Sequence, residues 1–354
     1  MKTNDGRKSP SINDVAQRVG VSSAAVSIYL RDGSTTRVGP EIKTRIDQVI
    51  QELSYRPNAS AQALSSGRTN TVAVLIPYNG PPFRSSFVAE ILSGVHTRLF
   101  ASGYSVLFPP AAGERSPVVL RHQLQRSGGL DGYILFGTRY CTHQDMIENA
   151  AMLEQAGIPF VAVNTPDLGP QINQVILREG RQASAIRFLY EQGHRRIAVM
   201  SGRDQSPDSI EAIQCFNEIS AEYGITPDES QILYGDYEVA VSRSAMLTRL
   251  SRGLDFTAVY CLSDTMAIGV YEAFREKAIT VPDMVSVIGR NDSYFSRLMN
   301  PPLTTVHRPV FEAGSKVAET LLQSIETGRQ GIKIILEGTL LVRESTRVQR
   351  VDQQ

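Results

Sequence analysis

The 354-residue sequence contains no tryptophan, five histidines and three cysteines. Cys141, Cys215 and Cys261 are far apart, and each lies near an apolar run. We therefore expect free buried thiols in a reducing compartment rather than a disulfide framework or a catalytic thiol. The start of the chain lacks the apolar core of a signal peptide. Because no apolar run approaches the roughly 18–20 residues of a membrane helix, the sequence predicts a cytoplasmic protein with no membrane partner.

Motifs for cofactor and metal chemistry are also missing. No GxGxxG leads from an apolar run into a helix pattern, and no GxxxxGK[ST] is present, which argues against dinucleotide and P-loop chemistry. No HExxH, paired cysteine or histidine cluster indicates a metal site. His194 follows a glycine that would stop a helix, so capping or surface roles explain it better than catalysis. We expect no cofactor, no metal and no enzyme activity.

The charges cancel overall but are distributed unevenly. The chain holds 36 basic and 36 acidic residues, yet residues 1–68 carry ten Lys/Arg and six Asp/Glu, a net charge of +4. The remainder, 69–354, carries −4. A basic first segment on a slightly acidic body is typical of a protein with a polyanionic partner. A chance imbalance remains an alternative on charge alone.

The first fifty or so residues carry three helix patterns. Ser11, with Asp14 three positions later, predicts a capped helix that Gly20 ends. Ser22 can cap a second helix, and Pro40 opens a third. Two short helices joined by a glycine-containing turn are typical of a helix-turn-helix DNA reader. A three-helix bundle with no nucleic-acid role would produce the same pattern.

An alanine-rich segment follows these helices. Pro57 sets a break, Asn58 can cap a short helix, and Gly67 ends it. Such a helix has little to pack against within its own domain and would be marginal alone. We interpret it as a hinge that becomes ordered when a partner is present, with a plain flexible linker as the alternative.

From Thr71 onward, short apolar runs alternate with helix patterns. Predicted strands cover Val72–Ile76, Val106–Phe108, Tyr133–Phe136, Phe160–Val163, Val175–Leu177, Ile197–Met200, Ile232–Tyr234, Ala258–Cys261 and Val285–Ile288. Predicted helices include Ile91–Phe100, Met146–Ala156, Gln182–Gln192 and Met266–Glu276. This alternation indicates parallel sheets whose faces are covered by helices. So many strands fit two α/β lobes better than one.

Two long stretches of the chain resemble a known family. SINDVAQRVGVSSAAVSIYL and RVGPEIKTRIDQVIQELSYRPNASAQALSSGRT are similar to the DNA-binding head and hinge of LacI/GalR-family bacterial regulators. DGYILFG, GIPFVAVN, GHRRIAVMSG, YCLSDTMAIGVYEAFREKAITVPDMVSVIG and PPLTTVHRP follow in family order, so the resemblance covers essentially the whole chain. It implies an all-α helix-turn-helix head and an α/β core of two Rossmann-like lobes of periplasmic-binding-protein type. It also implies a homodimer on a near-palindromic double-stranded DNA operator, with a small-molecule effector between the lobes.

The resemblance also implies domain boundaries. The helix-turn-helix domain would span 1–56, the hinge 57–70 and the core 71–354. The lobes would comprise about 71–164 with 291–325, and about 165–290 with 326–354, so that the chain crosses between lobes near 164, 290 and 325.

The predicted DNA contacts lie on the second helix. By resemblance, Ser23, Ala24 and Ile28 occupy base-contacting positions, while Ser22, Ser27 and Arg31 are predicted phosphate contacts. Many relatives carry a long polar or arginine side chain where Ile28 stands. Isoleucine offers only apolar contact, for example with a thymine methyl. We therefore expect readout to depend strongly on DNA shape and on the hinge.

In the hinge, the resemblance assigns DNA contacts to Asn58, Ala61 and Leu64. Leu64 corresponds to the family's wedge, which opens the central base step and kinks the duplex from the minor groove. Ala61 corresponds to the small residue that lies in that groove.

Eight residues are predicted effector contacts by resemblance: Asn79, Arg84, Asn164, Arg203, Tyr237, Asp264, Arg290 and Asn291. Tyr237 stands where relatives place a stacking aromatic ring, and Asp264 fits either a pocket contact or a helix N-cap. Asn291 replaces an Asp, and Ile210 replaces an Arg, so the usual hydroxyl clamp of sugar-binding relatives is altered. Arg84, Arg203 and Arg290 together would favour an anionic or phosphorylated ligand; sugars and nucleosides stay open.

The resulting prediction is a cytoplasmic, nucleoid-associated transcriptional regulator, most simply a repressor, controlled by an effector that shifts the hinge segments. Two other classes stay open. One is a cytoplasmic small-molecule sensor or carrier whose head binds protein. The other is an α/β enzyme that acts on sugars or nucleosides.

Overall fold

The chain divides into two compact units, Met1–Thr69 and Asn70–Gln354. The computed structural model describes residues 10–31, 33, 35–56, 67–77, 82–109, 129–138, 140–178, 180–204 and 206–348. The predicted hinge contacts Asn58, Ala61 and Leu64, the predicted effector contact Asn79 and the side chain of Arg31 lie outside the described residues. Across those ranges, no helix is both long and apolar enough to cross a membrane.

The first unit contains α1 (Ile12–Val19), α2 (Ser23–Arg31) and α3 (Pro40–Leu53). The predicted capping box of α1 is confirmed: the Ser11 N–H donates to Asp14 Oδ2 at 2.7 Å, and the Asp14 N–H donates to Ser11 Oγ at 3.4 Å. Gly20 ends α1 with φ 85°, a left-handed conformation that glycine adopts readily. Ser22 Oγ accepts the Ala25 N–H at 3.2 Å, which confirms the predicted cap of α2.

One small core joins these helices. Its buried members are Val15, Ala16, Val19, Val26, Val38, Ile46, Val49 and Tyr55. Ile42, in contrast to these residues, is 38% exposed. It lies one turn before Ile46, at the first turn of α3. The short helices are therefore stabilised by packing rather than by propensity alone.

The second unit is built from alternating strands and helices. Its strands are β1 (Thr71–Leu75), β2 (Ser105–Leu107), β3 (Gly132–Phe136), β4 (Phe160–Val163), β5 (Gln174–Arg178), β6 (Ile197–Ser201), β7 (Ile232–Tyr234), β8 (Ala258–Cys261), β9 (Ser286–Asn291), β10 (Thr304–His307), β11 (Lys333–Glu337) and β12 (Thr339–Leu341). Its helices are α4 (Ser86–Ala101), α5 (His143–Gln155), α6 (Gly180–Glu191), α7 (Pro207–Glu222), α8 (Val239–Leu250), α9 (Asp264–Glu276) and α10 (Val310–Thr327). Short 3₁₀ turns cover Pro82–Arg84, Glu229–Gln231 and Tyr294–Leu298.

The strands form two sheets, one in each lobe. The first has the order β11-β5-β4-β3-β1-β2, and the second has the order β12-β10-β9-β8-β6-β7. The pairs are parallel except for β10 with β12, which is antiparallel. Helices cover both faces of the central strands, so most of these strands read as continuous apolar runs.

The sheet order corrects the predicted lobe boundaries. β5 and β11 belong to the first sheet, whereas β9 and β10 belong to the second. The chain therefore crosses between lobes after β5, after β10 and between β11 and β12, rather than near residues 164, 290 and 325. The N-lobe comprises 70–178 and 309–337, and the C-lobe comprises 180–307 and 339–348. The prediction was wrong because a strand belongs to the sheet whose backbone it pairs with, and apolar runs do not reveal that partner.

Candidate functional site

Helix α2 has a packing face and a solvent face. Val26 is fully buried, and Ala25, Tyr29 and Leu30 pack against the same core. On the other side, Ala24 and Ser27 are exposed and Ile28 is half-exposed. Residues spaced by three and four positions share one side of a helix. The side chains of Ala24, Ser27 and Ile28 therefore form a continuous surface that is free of the core.

The two remaining serines lie at the start of α2. Ser23 is half-buried as the first residue of the helix, and Ser22 is exposed while its hydroxyl caps the helix. The Tyr29 hydroxyl donates to Asp47 Oδ2 at 2.7 Å, which ties α2 to α3. Together with the core, this hydrogen bond fixes how the solvent face of α2 is presented within the unit.

The second unit contains a cleft between its lobes. The carboxyl ends of strands from both sheets, with the first turns of several helices, surround a cavity of about 460 Å³. That volume is typical of small-molecule sites. The N-terminal ends of α4, α5, α7, α8 and α9 contribute residues to its lining. Because such helix ends carry N–H groups without helical partners, the cleft is rich in fixed hydrogen-bond donors.

Five of the predicted effector residues line this cleft. They are Arg84, Asn164, Tyr237, Arg290 and Asn291. Asn164 has a left-handed φ of 55°, and its Nδ2 donates to the Gly137 carbonyl at 2.8 Å, so its amide joins the ends of β3 and β4. Asn291, at the end of β9, has a φ of 106°.

A carboxylate is fixed on the C-lobe side of the cleft. Asp208 Oδ2 accepts Arg290 Nη2 at 2.6 Å and also accepts the Tyr237 hydroxyl. The Arg290 side chain is 7% exposed and that of Asp208 is 42% exposed. Burial would raise the pKa of Asp208, but the charge and hydrogen bond of Arg290 outweigh it and lower that pKa to about 2. Burial, and then the adjacent Asp208 carboxylate, raise the pKa of Tyr237. Asp208 is therefore ionised and held in place at neutral pH.

Arg308 lies where the chain crosses from β10 back to the N-lobe. Its Nη2 donates to the Leu177 carbonyl at 3.2 Å, and its Nη1 donates to Asn291 Oδ1 at 3.4 Å. Its guanidinium lies 5.3 Å from the centroid of the Phe87 ring. This buried arginine lines the cleft and contacts both lobes.

Sequence reasoning missed both Asp208 and Arg308. A usable signal was present for each. Asp208 follows Pro207, which opens a helix after β6, and ligands bind where helices start at the carboxyl ends of parallel strands. Arg308 lies inside the PPLTTVHRP stretch that carried the family resemblance.

Asp264 does not line the cleft among the described residues. Ser263 is the N-cap of α9, and Asp264 is its fully buried first residue. Its carboxylate accepts the Ser293 N–H and the Thr305 hydroxyl, each at 2.6 Å. Burial raises its pKa to about 7, against the lowering effect of these hydrogen bonds. The predicted pocket contact is wrong because the carboxylate is directed toward β9, where Gly289 has no Cβ that would overlap it.

Arg203 is also absent from the cleft lining in the described part of the chain. Its Nε lies 3.9 Å from Asp236 Oδ1, and its guanidinium lies 5.1 Å from the centroid of the Tyr140 ring. Arg203 therefore lies at the rim of the cleft rather than in its lining, where a direct contact with the effector was predicted.

Ile210 is 54% exposed, because it lies on the side of α7 away from Asp208.

The charges of the cleft give no particular support to the predicted anionic ligand, which stays a prediction. Arg290 is paired with Asp208, and Arg203 is paired with Asp236. The lining includes four arginines and four acidic residues, namely Arg84, Arg178, Arg290, Arg308, Asp167, Asp208, Glu211 and Glu238. The cleft is thus balanced in charge, and the predicted cluster of three ligand-directed arginines does not form.

Comparison with known proteins supports both units. Residues 11–58 match the model of bacterial regulatory proteins of the lacI family, and residues 186–346 match a periplasmic binding protein-like domain. HTH-type transcriptional regulator CelR of Thermobifida fusca is 32% identical over 96% of this chain and 99% of its own length. HTH-type transcriptional repressor PurR of Vibrio atlanticus is 30% identical, over 89% of this chain and 92% of its own.

Solved structures share the architecture. A complex of the transcriptional regulator CelR with cellobiose has a TM-score of 0.68 and 28% identity, and covers 95% of this chain and 99% of the other. The Lac repressor dimer bound to operator and the anti-inducer ONPF has a TM-score of 0.80 and 24% identity, and covers 96% of this chain and 100% of the other. This similarity supports the fold alone. The chain belongs to the LacI family of bacterial regulatory proteins and is a DNA-binding transcriptional regulator controlled by a small-molecule effector.

Proposed function

We propose that this regulator is a homodimeric repressor whose cleft binds a neutral, polyhydroxylated effector such as cellobiose. The observation that carries the ligand class is the fixed Asp208 carboxylate. It is held by Arg290 and Tyr237 and remains 42% exposed in the lining of the cleft. A carboxylate accepts hydrogen bonds from sugar hydroxyls and repels phosphate.

The rest of the lining fits the same ligand class. Phe87, Phe136 and Tyr237 provide aromatic surface, and eight serine or threonine residues provide hydroxyl groups: Ser85, Ser86, Thr138, Thr142, Thr165, Ser206, Ser263 and Thr265. Ligand sites combine apolar walls with a few placed polar groups in this manner. The CelR relative and the cellobiose complex of a CelR protein support a disaccharide as the first candidate.

Calorimetry with the full-length protein tests the effector class. Cellobiose, maltose, glucose, glucose 6-phosphate and adenosine would be titrated in turn. We expect saturable heat with a neutral saccharide and none with the phosphate ester. Tight binding restricted to glucose 6-phosphate or adenosine would reject the proposal. Recovery of the bound saccharide unchanged after prolonged incubation separates a regulator from the enzyme alternative.

The operator side of the proposal rests on the solvent face of α2. Ser23, Ala24 and Ile28 would meet base edges, and Ser22, Ser27 and Arg31 would meet phosphates. Asn58, Ala61 and Leu64 would enter the minor groove at the operator centre. Repression, rather than activation, is supported by the relative named as the repressor PurR. The two-fold symmetry of a dimer would explain a near-palindromic site, and such a protein would act in the cytoplasm at the nucleoid.

Genome-wide footprinting followed by binding assays tests this side. We expect a near-palindromic motif, and an affinity for it that falls steeply with salt because phosphate contacts release counterions. An affinity that barely changes with salt would support the alternative of a sensor whose head binds protein. Addition of the effector should change operator affinity, since binding at two sites is reciprocally coupled.

A further inference from the structure

Arg203 and Tyr140 join the two lobes beside the cleft. Arg203 follows β6 of the C-lobe, and Tyr140 lies between β3 and α5 of the N-lobe. The guanidinium of Arg203 is 5.1 Å from the centroid of the Tyr140 ring, within the range of a cation–π contact. The Arg203 Nε lies 3.9 Å from Asp236 Oδ1. We call Arg203, Tyr140 and Asp236 the rim clasp.

The C-lobe residues of the rim clasp, Arg203 and Asp236, are directly connected to the cleft-lining Tyr237. Arg203 follows Gly202, where a Cβ would overlap the ring of Tyr237. Asp236 precedes Tyr237, and both have left-handed backbones, with φ of 49° and 57°. The cleft-lining Tyr237 and the rim-clasp residues Arg203 and Asp236 therefore belong to two short segments, 202–203 and 236–237, that contact each other. A shift of Tyr237 would move the backbone that positions Arg203.

Hydrogen bonds extend this connection into the lining. The Arg203 carbonyl accepts the Ser206 hydroxyl at 2.9 Å and the Ser206 N–H at 3.2 Å. Ser206 lines the cleft two residues before Asp208. In the N-lobe, Tyr140 directly precedes Cys141 and Thr142, which also line the cleft. The rim clasp thus connects cleft-lining segments of both lobes through side chains that do not themselves line the cavity.

We propose that Arg203 and Tyr140 are a positioning pair that holds the lobes together around the bound effector and slows its release. This inference rests on the proposed effector function of the cleft. The contact forms across the lobes, so its loss should act on dissociation more than on association. Loss of a cation–π contact at a half-exposed site corresponds to an increase of about 2- to 5-fold in the dissociation rate of the effector.

Stopped-flow release of cellobiose from the full-length protein tests the pair. Arg203→Ala and Tyr140→Leu should each raise the dissociation rate about 2- to 5-fold, and the double variant should raise it no further. Arg203→Lys and Tyr140→Phe keep the cation and the ring, so they should restore a rate close to that of the wild type. Arg243→Ala, which removes an exposed ion pair with Glu276 elsewhere in the C-lobe, is the matched control.

The double variant separates the clasp from a direct contact. If Arg203 bound the effector itself, Arg203→Ala would accelerate release equally with or without the Tyr140 ring. Additive effects of the two substitutions would therefore overturn the proposal. Unchanged rates in both single variants would also overturn it.

Hydrogen exchange of the effector-free protein tests the rim clasp without any ligand. The amides of Ser206 and Cys141, bonded to the carbonyls of Arg203 and Thr138, should exchange faster in both Arg203→Ala and Tyr140→Leu. If the wild type binds no cellobiose, the proposed ligand is wrong. The exchange measurement then still shows whether Arg203 and Tyr140 hold the two lobes together. If both amides exchange as in the wild type, the clasp is wrong even when cellobiose binds.

Discussion

Asp208 and Arg290 form an ion pair of 2.6 Å between Oδ2 and Nη2, which joins the first turn of α7 to the end of β9. Arg290 is fixed further by its Nε, which donates to the Leu262 carbonyl at 2.8 Å. The sequence indicated that the hydroxyl clamp of sugar-binding relatives was altered, because Ile210 and Asn291 replace its charged members. The structure shows an Asp–Arg pair in the cleft that is supplied by different positions.

The first prediction concerns this pair. Asp208→Asn should weaken effector binding by about 10- to 100-fold, because a charge-assisted hydrogen bond contributes roughly 1.5–3 kcal/mol. Calorimetry measures the dissociation constant. Glu218→Gln, on the same helix but outside the cleft lining, is the matched control and should leave binding unchanged. Equal effector affinity in Asp208→Asn and the wild type would show that Asp208 does not contact the effector.

A second prediction follows from Asp264, whose pKa is raised by burial to about 7. The folded state keeps this proton up to about pH 7, whereas the unfolded chain releases it near pH 4. The stabilising contribution of Asp264 should therefore be fully present below about pH 4 and be lost as the pH rises toward 7, by on the order of 1–4 kcal/mol. Asp264→Asn should flatten this slope, since its Oδ1 can accept the Ser293 N–H and its Nδ2 can donate to Thr305.

Urea unfolding at intervals between pH 4 and 8 measures that slope. The exposed Asp283→Asn in the same lobe serves as the control and should run parallel to the wild type. Parallel curves for Asp264→Asn and the wild type would show that the buried carboxyl does not titrate in this range.

The nine strands predicted from apolar runs are all confirmed. Seven of them are largely buried, and strands covered on both faces must be apolar throughout. The other two, β2 and β7, are partly exposed edge strands that still consist mainly of apolar residues. The strands that were missed have weaker patterns. β10 contains two buried threonines, and β11, whose residues alternate between exposed and half-buried, pairs on one side with β5 at the edge of its sheet. Lobe membership could not be predicted, because it depends on pairing between distant segments.

The candidate site was predictable as a region but only partly as a set of side chains. The family resemblance singled out Asn164, Tyr237 and Arg290, and all three lie in the cleft lining. The direction of a side chain in the first turn of a helix depends on where that helix begins. For that reason Asp208, rather than Ile210, reaches the cleft, and Asp264 is buried against β9 and β10 instead.

The third prediction tests the packing of α4 against α10 in the N-lobe. A Cβ at Gly94 would overlap the carbonyl oxygen of Phe311, and one at Gly314 would overlap that of Ile91. The two helices thus contact backbone to backbone. Gly94→Ala should lower the free energy of unfolding by about 2 kcal/mol, despite the better helix propensity of alanine. Ser93→Ala, exposed on the same helix, should change it by less than about 0.5 kcal/mol. A raised urea midpoint for Gly94→Ala would contradict the close contact.

The fourth prediction concerns the hinge and rests on the family resemblance. Leu64→Ala should reduce affinity for the specific operator far more than affinity for unrelated DNA, because a wedge acts only on a correctly positioned central step. Fluorescence anisotropy with both duplexes at one salt concentration measures the two constants. Asn58→Ala provides a comparison within the same segment. Equal losses on both duplexes would argue against a wedge at Leu64.

The fifth prediction concerns the solvent face of α2. Ile28 is half-exposed there and offers no hydrogen bond, so Ile28→Arg should change the preferred base at one position of each half-site, with guanine as the new preference. Selection of bound sequences from a random duplex pool measures this. Gln17→Arg adds the same charge to the exposed side of α1, and should strengthen binding to all duplexes without changing the motif. If both variants select the wild-type motif, Ile28 does not face a base. If Gln17→Arg shifts the motif instead, α1 rather than α2 meets the base edges.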